Sequence, residues 1–258
     1  MTIRQRKSLG QHFLLNETAA ERIVDALLEI YTAQTILEIG PGTGILSKHL
    51  LKHPKNIFFS EIDERIIRFL KEELNIDAAN ILAGDFLQQN LQQLPAGPLG
   101  IIGNFPYNIS SQIIFKVLEA VQKVPALVGM FQKEMALRLA ARHGNKNYGV
   151  ITVLTQAVYS VEYLFELPPS DFDPPPAVYS AVVRLIRKPA WEFYDETIFR
   201  QLVKTAFNQR RKKLSNALAS MPVAVEILHQ LNFADCRAEQ LSVADFIEVA
   251  KKIQYNIG

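Results

Sequence analysis

Short apolar runs that alternate with helical segments constrain the fold of this chain more than any other feature. The runs cover residues 35–40, 56–63, 80–85, 99–106 and 126–132, and amphipathic stretches at 45–53, 64–75 and 111–121 lie between them. Strand–helix repetition with short connections predicts an α/β fold built on a doubly wound sheet. Ligands of such sheets bind beyond the carboxyl ends of the strands, so the residues after each run are the candidates for chemistry.

The pattern changes twice along the chain, which predicts two domains. Residues 161–188 read as two strands joined by a proline-rich loop, an antiparallel addition to the sheet. From Glu196 onward the periodicity is helical, with no convincing strand. We therefore predict a Rossmann-like domain at residues 1–187, with an N-terminal motif at 1–16, and a small helical domain at 188–258.

Composition narrows the class of protein without identifying a partner. The chain has 258 residues, 48% of them hydrophobic, and a net charge of only +2. Its single cysteine, Cys236, excludes an intrachain disulfide and a multi-cysteine metal site. The apolar stretches are shorter than the roughly 18 residues of a membrane span, and the basic N-terminus lacks the apolar segment of a secretory signal. We expect a cytoplasmic monomer that uses neither a metal nor a membrane.

The first run ends in the sequence EIGPGTG, residues 38–44, where three glycines occupy a strand-to-helix turn. Glycine lets the backbone approach a ligand closely. The third glycine stands one position earlier than the dinucleotide fingerprint G-x-G-x-x-G requires, which counts against a nicotinamide cofactor. The pattern E-x-G-x-G-x-G is instead typical of methyltransferases that use S-adenosylmethionine. We predict that Gly40 and Gly42 contact this cofactor.

The next two runs each end in an acidic residue. Glu61 follows the glycines by about twenty residues, where a carboxylate can accept hydrogen bonds from both ribose hydroxyls. Asp63 lies close by, but Glu61 is preferred because it stands at the strand tip. Asp85 ends the third run and could accept from the exocyclic amine of the cofactor's adenine, although an N-cap role is the simpler alternative.

The fourth run ends in GNFPYNIS, residues 103–110, which contains the pattern (N/D)-x-P-Y of methyltransferases acting on amines conjugated to a π system. Such a nitrogen shares its lone pair with the ring and is a poor nucleophile. The side-chain oxygen of Asn104 can accept its hydrogens, Pro106 stiffens the loop and Tyr107 offers a face for stacking. Glutamine-modifying methyltransferases share this motif and remain an alternative at this point.

Taken together, these motifs resemble the KsgA/RsmA family of small-subunit ribosomal RNA adenine dimethyltransferases. The resemblance also includes KSLGQHFLLN at residues 7–16, DFDPPPAVYSAVV at 171–183 and FNQRRKKLSNAL at 207–218, so it covers nearly the whole chain. It departs from the family pattern at His12, where Asn is usual, and at Tyr179, where Asp is usual.

The resemblance implies roles for individual residues. The implied cofactor-binding residues are His12, Leu14, Gly40, Gly42, Glu61, Ile62, Asp85, Phe86 and Asn104. Asn104, Pro106 and Tyr107 form the implied catalytic loop, with Phe172 as a second aromatic surface for the target base. The implied RNA-binding residues are Lys7, Arg210, Arg211, Lys212 and Lys213, and the last four lie on an expected basic helix without acidic residues.

By resemblance, the expected activity is S-adenosylmethionine-dependent dimethylation of the N6 amine of two adjacent adenines near the 3′ end of small-subunit (16S) ribosomal RNA. The expected partner is that RNA in an immature 30S particle. Two other interpretations remain open: a methyltransferase acting on large-subunit ribosomal RNA or DNA, and an RNA-binding assembly factor whose main role is not catalytic.

Overall fold

The computed structural model describes residue 6 and residues 10–32, 35–94, 97–189 and 195–257. The chain divides into two compact units, residues 1–136 with 161–187 and residues 137–160 with 188–258. This division differs from the predicted one because residues 137–160 group with the C-terminal helices. The helix at Val150–Val158 packs against the helices at Glu196–Asn208 and Val243–Ile257, a tertiary contact with no local sequence signal.

A seven-stranded sheet of the described residues forms the centre of the first unit. Its parallel part consists of β2 (Thr35–Ile39), β3 (Asn56–Glu61), β4 (Ile81–Ala83), β5 (Leu99–Asn104) and β6 (Ala126–Gln132). β9 (Ser180–Arg187) pairs antiparallel with β6, and β7 (Tyr159–Leu167) follows at the edge, giving the order β4-β3-β2-β5-β6-β9-β7. All five predicted runs are strands, and the antiparallel addition is confirmed.

Helices α1 (Glu17–Leu28), α2 (Ile45–Leu50), α3 (Glu64–Glu72) and α4 (Ser110–Glu119) connect the strands. Asn16 caps α1 by accepting the Ala19 N–H, and Asp63 caps α3 by accepting the Arg65 N–H. All five residues of β2 are buried, as expected for a parallel strand covered on both faces. The connections place the ends of β2, β3, β4 and β5 along one edge of the sheet.

A second, two-stranded sheet joins the N-terminal motif to the proline-rich segment. β1 (Phe13–Leu14) pairs antiparallel with β8 (Phe172–Asp173), with Leu14 opposite Phe172. The Leu15 N–H also donates to the Asp171 carbonyl at 2.8 Å. Residues separated by more than 150 positions are thereby held together beside the main sheet.

The second unit is helical among its described residues apart from the first residues of β7. Its helices are the end of α5 (Lys133–Leu139), α6 (Val150–Val158), α7 (Glu196–Asn208), α8 (Leu214–Ala217), α9 (Pro222–Gln230) and α10 (Val243–Ile257). Phe199, Leu202, Val203 and Phe246 are buried in its core. In neither unit do the described residues include a helix with the length and apolarity that crossing a membrane would require.

Candidate active site

The glycine turn after β2 has the backbone conformation that only glycine adopts readily. Gly40, Gly42 and Gly44 have φ values of +66°, +57° and +77°. A Cβ atom added at Gly42 would also lie 3.0 Å from the Phe13 ring, so the ring would have to shift to admit a side chain. The turn therefore brings bare backbone to the edge of the sheet.

A cavity of about 200 Å³ lies in the first unit against this turn and the ends of β3 and β5. Most of the residues predicted to form the site line it: His12, Leu14, Gly40, Gly42, Glu61, Ile62, Asp85, Phe86, Asn104, Pro106 and Tyr107. Phe172 is not among them. The described residues contain no group of three or more His, Cys, Asp or Glu that could hold a metal ion.

Glu61 is a buried carboxylate at the tip of β3, with 6% of its surface exposed. One oxygen accepts the N–H groups of Ile62 and Asp63, both at 2.8 Å. Burial raises the pKa of Glu61, whereas these backbone N–H groups and that of Gly42 act in the opposite direction. The carboxylate thus lies next to the glycine turn.

Asp63, the alternative to Glu61, has a structural role in this fold. Its side chain caps α3 and forms two hydrogen bonds with the Arg65 guanidinium, at 3.0 and 2.6 Å. These bonds lower the pKa of Asp63 to about 2. Asp63 does not line the cavity, so the geometry favours Glu61 as the ribose acceptor.

A second buried acid was part of the recognised motif, but sequence reasoning assigned it no role. Glu38 is 1% exposed, lines the cavity and accepts a hydrogen bond from the Ser47 hydroxyl at 2.7 Å. Burial raises the pKa of Glu38 to about 8; the Ser47 bond opposes this shift and the charge of Glu61 adds to it. Burial thus favours the protonated form of Glu38, and the Ser47 hydrogen bond connects β2 to α2.

Asp85, Ile62 and Phe86 form another part of the cavity wall. One Asp85 oxygen accepts the Leu87 N–H at 2.9 Å, so the N-cap role considered from the sequence is real. The second oxygen is still able to accept a hydrogen bond from a ligand. Ile62 is half-exposed and Phe86 is buried. Apolar surface beside a carboxylate suits a purine ring that carries an amine.

The N-F-P-Y loop is anchored by its phenylalanine. Phe105 is 1% exposed and packs edge-on against Phe131, with ring centroids 5.2 Å apart. Its ring also contacts Gly103 and Gly129, where an added Cβ would collide with it. The two glycines therefore leave the space that the Phe105 ring occupies. This packing fixes the position of the loop.

The amide of Asn104 is oriented by the N-terminal motif. Its nitrogen donates to the His12 carbonyl oxygen at 2.8 Å. Because the donor end of the amide is engaged in this bond, the side-chain oxygen is the acceptor left for an incoming N–H group. Sequence reasoning assigned both residues to the site but did not foresee that one orients the other.

Tyr107 is held at its hydroxyl and on one face. The hydroxyl lies 2.5 Å from the buried Ser180 hydroxyl, and the ring stacks on His12 with centroids 5.3 Å apart and planes at 24°. His12 in turn donates from Nδ1 to the Pro174 carbonyl at 2.7 Å. Burial raises the pKa of Tyr107, which therefore stays neutral. These contacts explain how a histidine is accommodated at position 12.

Phe172 lies in the core rather than in the cavity wall. It is 3% exposed and packs with Phe13 and Leu14 in the apolar cluster beneath β1. Its neighbour Asp173 is exposed, as alternation along β8 requires. Strand pairing, which local sequence does not reveal, buries Phe172, and its stacking on a target base stays a prediction.

We expect Phe172→Leu to lower the free energy of unfolding by about 1–2 kcal/mol, because a buried ring is replaced by a smaller side chain. We expect methyl-transfer turnover at 25 °C to stay within about threefold of wild type, as is usual for a conservative core change. Phe199→Leu, at a buried position of the second unit, is the matched control. A large loss of turnover at unchanged stability and cofactor affinity would instead assign the ring to base stacking.

Only some of the predicted RNA-binding residues that the structure describes have side chains outside ion pairs. Lys7 lies outside the described residues. α7 ends at Asn208 and α8 begins at Leu214, so residues 209–213 connect two helices and do not form the expected basic helix. Arg210 pairs with Glu239 at 2.5 Å and Lys213 with Asp235 at 2.8 Å. The local sequence contains no acid, and the acids that pair with Arg210 and Lys213 lie further along the chain, within residues 235–239. Arg211 and Lys212 remain exposed.

A parallel sheet with a glycine turn after β2, an acid at the tip of β3 and an N-P-Y loop after β5 defines a Rossmann-like, S-adenosylmethionine-dependent methyltransferase. The ribosomal RNA adenine dimethylase family matches residues 2–255. This chain belongs to that family.

Relatives and solved structures agree with this assignment. Ribosomal RNA small subunit methyltransferase A of Cytophaga hutchinsonii is 44% identical over 97% of this chain and 98% of its own length. The protein of the same name from Porphyromonas gingivalis is 43% identical over 98% and 99%. A dimethyladenosine transferase from Plasmodium falciparum has a TM-score of 0.82 at 27% identity, covering 95% of this chain and 98% of its own. The 23S rRNA methyltransferase ErmE has a TM-score of 0.68 at 25% identity, covering 92% and 99%.

The residues around the cavity fit S-adenosylmethionine, the cofactor of this class. Gly42 has a positive φ that strains any side chain, and its bare backbone allows a ligand to approach closely. Glu61 and Asp85 supply carboxylate acceptors for ribose hydroxyls and an amine, and Ile62 supplies apolar surface. Asn104 and Tyr107 line the same cavity, so the N-F-P-Y loop adjoins the residues that would hold the cofactor.

Proposed function

We propose that this protein transfers methyl groups from S-adenosylmethionine to the N6 amine of adenines in small-subunit ribosomal RNA, producing dimethyladenosine. The main support for the proposal is the position of the Asn104 amide. It lies in the wall of a cavity that fits the cofactor, and its hydrogen bond to the His12 carbonyl orients it. The small-subunit target is supported by relatives with that name at 43–44% identity over nearly the whole chain.

The amine-binding loop can perform the chemistry by positioning. Asn104 would accept an N6 hydrogen through its side-chain oxygen, which favours a pyramidal nitrogen with its lone pair available. Tyr107 would stack on the target base, which must leave its helix to reach the cavity. The His12 ring stacks on one face of Tyr107, so the base would use the other face. A fixed geometry of this kind lowers the entropic part of the barrier.

When bound, the cofactor would supply an electrophilic methyl group on a sulfonium, and the neutral thioether S-adenosylhomocysteine would be the leaving group. Glu61 and the glycine turn would hold the cofactor so that its methyl group faces Asn104. After transfer, the methylated nitrogen is cationic and loses its proton readily, so no general base is needed before attack.

Finer features of the proposal rest on the family resemblance. We propose that the targets are two adjacent adenines near the 3′ end of 16S RNA, that each receives two methyl groups, and that the substrate is an immature 30S particle. We further propose that the protein acts as a monomer in the cytoplasm. The large-subunit alternative has one structural argument in its favour, the similarity to ErmE.

The decisive experiment incubates the protein with labelled S-adenosylmethionine and unmethylated small subunits, then digests the RNA and identifies the nucleosides. We expect labelled dimethyladenosine in small-subunit RNA and none in large subunits treated in parallel. Label confined to large-subunit RNA would overturn the substrate assignment while leaving the reaction intact. Absence of label from both RNAs, with cofactor binding retained, would favour the non-catalytic assembly role.

A further inference from the structure

The loop between β8 and β9, residues 174–179, is held beside Tyr107 at both of its ends. At its start, the Pro174 carbonyl oxygen accepts the hydrogen bond from His12 Nδ1 at 2.7 Å, and the His12 ring stacks on Tyr107. At its end, the hydroxyl of Ser180, the first residue of β9, lies 2.5 Å from the Tyr107 hydroxyl. Both attachments lead to the ring on which the target base would stack, so the loop is a neighbour of that position.

Between these attachments the loop exposes apolar side chains. Pro176 and Ser180 are buried, whereas Ala177, Val178 and Tyr179 are exposed. Val178 is 44% and Tyr179 50% exposed, and among the large hydrophobic residues that are exposed in the described part of the chain they are the only consecutive pair. Neither lines the cofactor cavity. An exposed apolar patch beside a substrate position is a candidate for binding, whereas single exposed residues need no explanation.

The Tyr179 ring is fixed in place although half of the residue is exposed. Its carbonyl oxygen accepts the Lys133 N–H at 2.9 Å, and the Lys133 ammonium lies over its ring, 5.7 Å from the centroid. Glu166 of β7 pairs with the same ammonium at 2.8 Å and also accepts the Tyr163 hydroxyl at 2.8 Å. A ring held in this way loses little conformational freedom when a ligand stacks on it.

We propose that Tyr179 stacks on the nucleobase next to the target adenine and thereby determines which flanking nucleotide the enzyme prefers. This inference rests on the proposed function. When the target base leaves its stack, its neighbour loses a stacking partner, and an exposed aromatic ring replaces that partner. Tyr179 stands where the family usually has Asp, so this contact is particular to the present chain.

A protein partner is the less favoured occupant of this patch. A stable protein interface buries about 800 Å² on each partner and has an apolar centre. The loop offers three exposed apolar residues, and one of them is an alanine. A single aromatic ring beside Tyr107 instead matches the size of one base.

The first test is Tyr179→Ala. We expect its dissociation constant for unmethylated small subunits to rise about tenfold, as is typical for the loss of one stacked base. Affinity for S-adenosylmethionine should not change, because Tyr179 lies outside the cavity. Tyr179→Phe keeps the ring and should retain most of the affinity for subunits. Tyr255→Ala removes an exposed tyrosine from α10 and is the matched control.

The second test separates stacking from support of the loop. Subunits are reconstituted with RNA that lacks the base on the 5′ or on the 3′ side of one target adenine. For one of the two sides, we expect the missing base to weaken binding of the wild-type protein about tenfold and to have little further effect on Tyr179→Ala. The two changes are non-additive because each removes the same contact.

Four outcomes would overturn the proposal. Tyr179→Ala could bind intact subunits as the Tyr255→Ala control does. The losses could be additive for both abasic substrates, which would mean that Tyr179 only supports the loop. Tyr179→Ala could lose affinity while the wild-type protein ignores both missing bases, which would assign the contact to a ribosomal protein. In these three cases, wild-type methylation of intact subunits upholds the proposed function; a wild-type protein that neither binds nor methylates them removes both.

Discussion

Replacing Asn104 by Ala is expected to lower the single-turnover rate of adenine methylation by about 100- to 1000-fold while changing the cofactor dissociation constant less than about threefold. The reason is that, in the proposed mechanism, its side-chain oxygen accepts a hydrogen from the amine, whereas its nitrogen already donates to the His12 carbonyl oxygen. Rapid-quench methylation of small subunits measures the rate, and titration calorimetry with S-adenosylmethionine measures the affinity.

A matched control for this variant is Asn90→Ala, which removes an exposed asparagine that caps residues 91–93 and lies outside the cavity. Asn104→Asp retains an acceptor oxygen but cannot donate to the His12 carbonyl, so we expect an intermediate rate. Equal losses of turnover and cofactor affinity in Asn104→Ala would mean that the residue supports the loop and does not act on the amine.

Glu61→Ala is expected to weaken S-adenosylmethionine binding by about 10- to 100-fold, the loss typical of hydrogen bonds to a charged acceptor. The effect on turnover at saturating cofactor should be much smaller, because we propose that Glu61 contacts the ribose and not the transferred group. Calorimetry of cofactor binding and initial rates at several cofactor concentrations separate the two effects.

Two further variants test whether the loss of cofactor affinity in Glu61→Ala has a purely structural cause. Glu61→Gln keeps an oxygen that can accept the N–H groups of Ile62 and Asp63, and should retain the fold while losing part of the affinity. Glu64→Ala removes a nearby exposed acid on α3 and should leave affinity unchanged. An unaltered dissociation constant for Glu61→Ala would remove Glu61 from the site.

The parallel sheet and most of the candidate site were predictable because their signals are local. Each strand is a continuous apolar run, each connection carries helical periodicity, and the edge where ligands bind follows from the topology. The glycine turn and Glu61 stand at strand ends, where a short motif specifies both position and chemistry. Eleven predicted residues therefore lie around one cavity.

Long-range packing decided the features that the sequence did not reveal. Residues 137–160 group with the C-terminal helices because α6 packs on α7 and α10. Phe172 is buried because β8 pairs with β1. The sequence around Arg210 contains no acid, yet Glu239 pairs with it from 29 residues away.

By itself, the sequence determined the class of sheet, the glycine turn after β2, the acid at the tip of β3 and the N-F-P-Y loop after β5. These depend on the residue types within a few positions of one another. Only the tertiary structure decided that His12 orients Asn104 and backs Tyr107. Hydrogen bonds and ring contacts between distant segments depend on how the chain packs, and no local pattern encodes them.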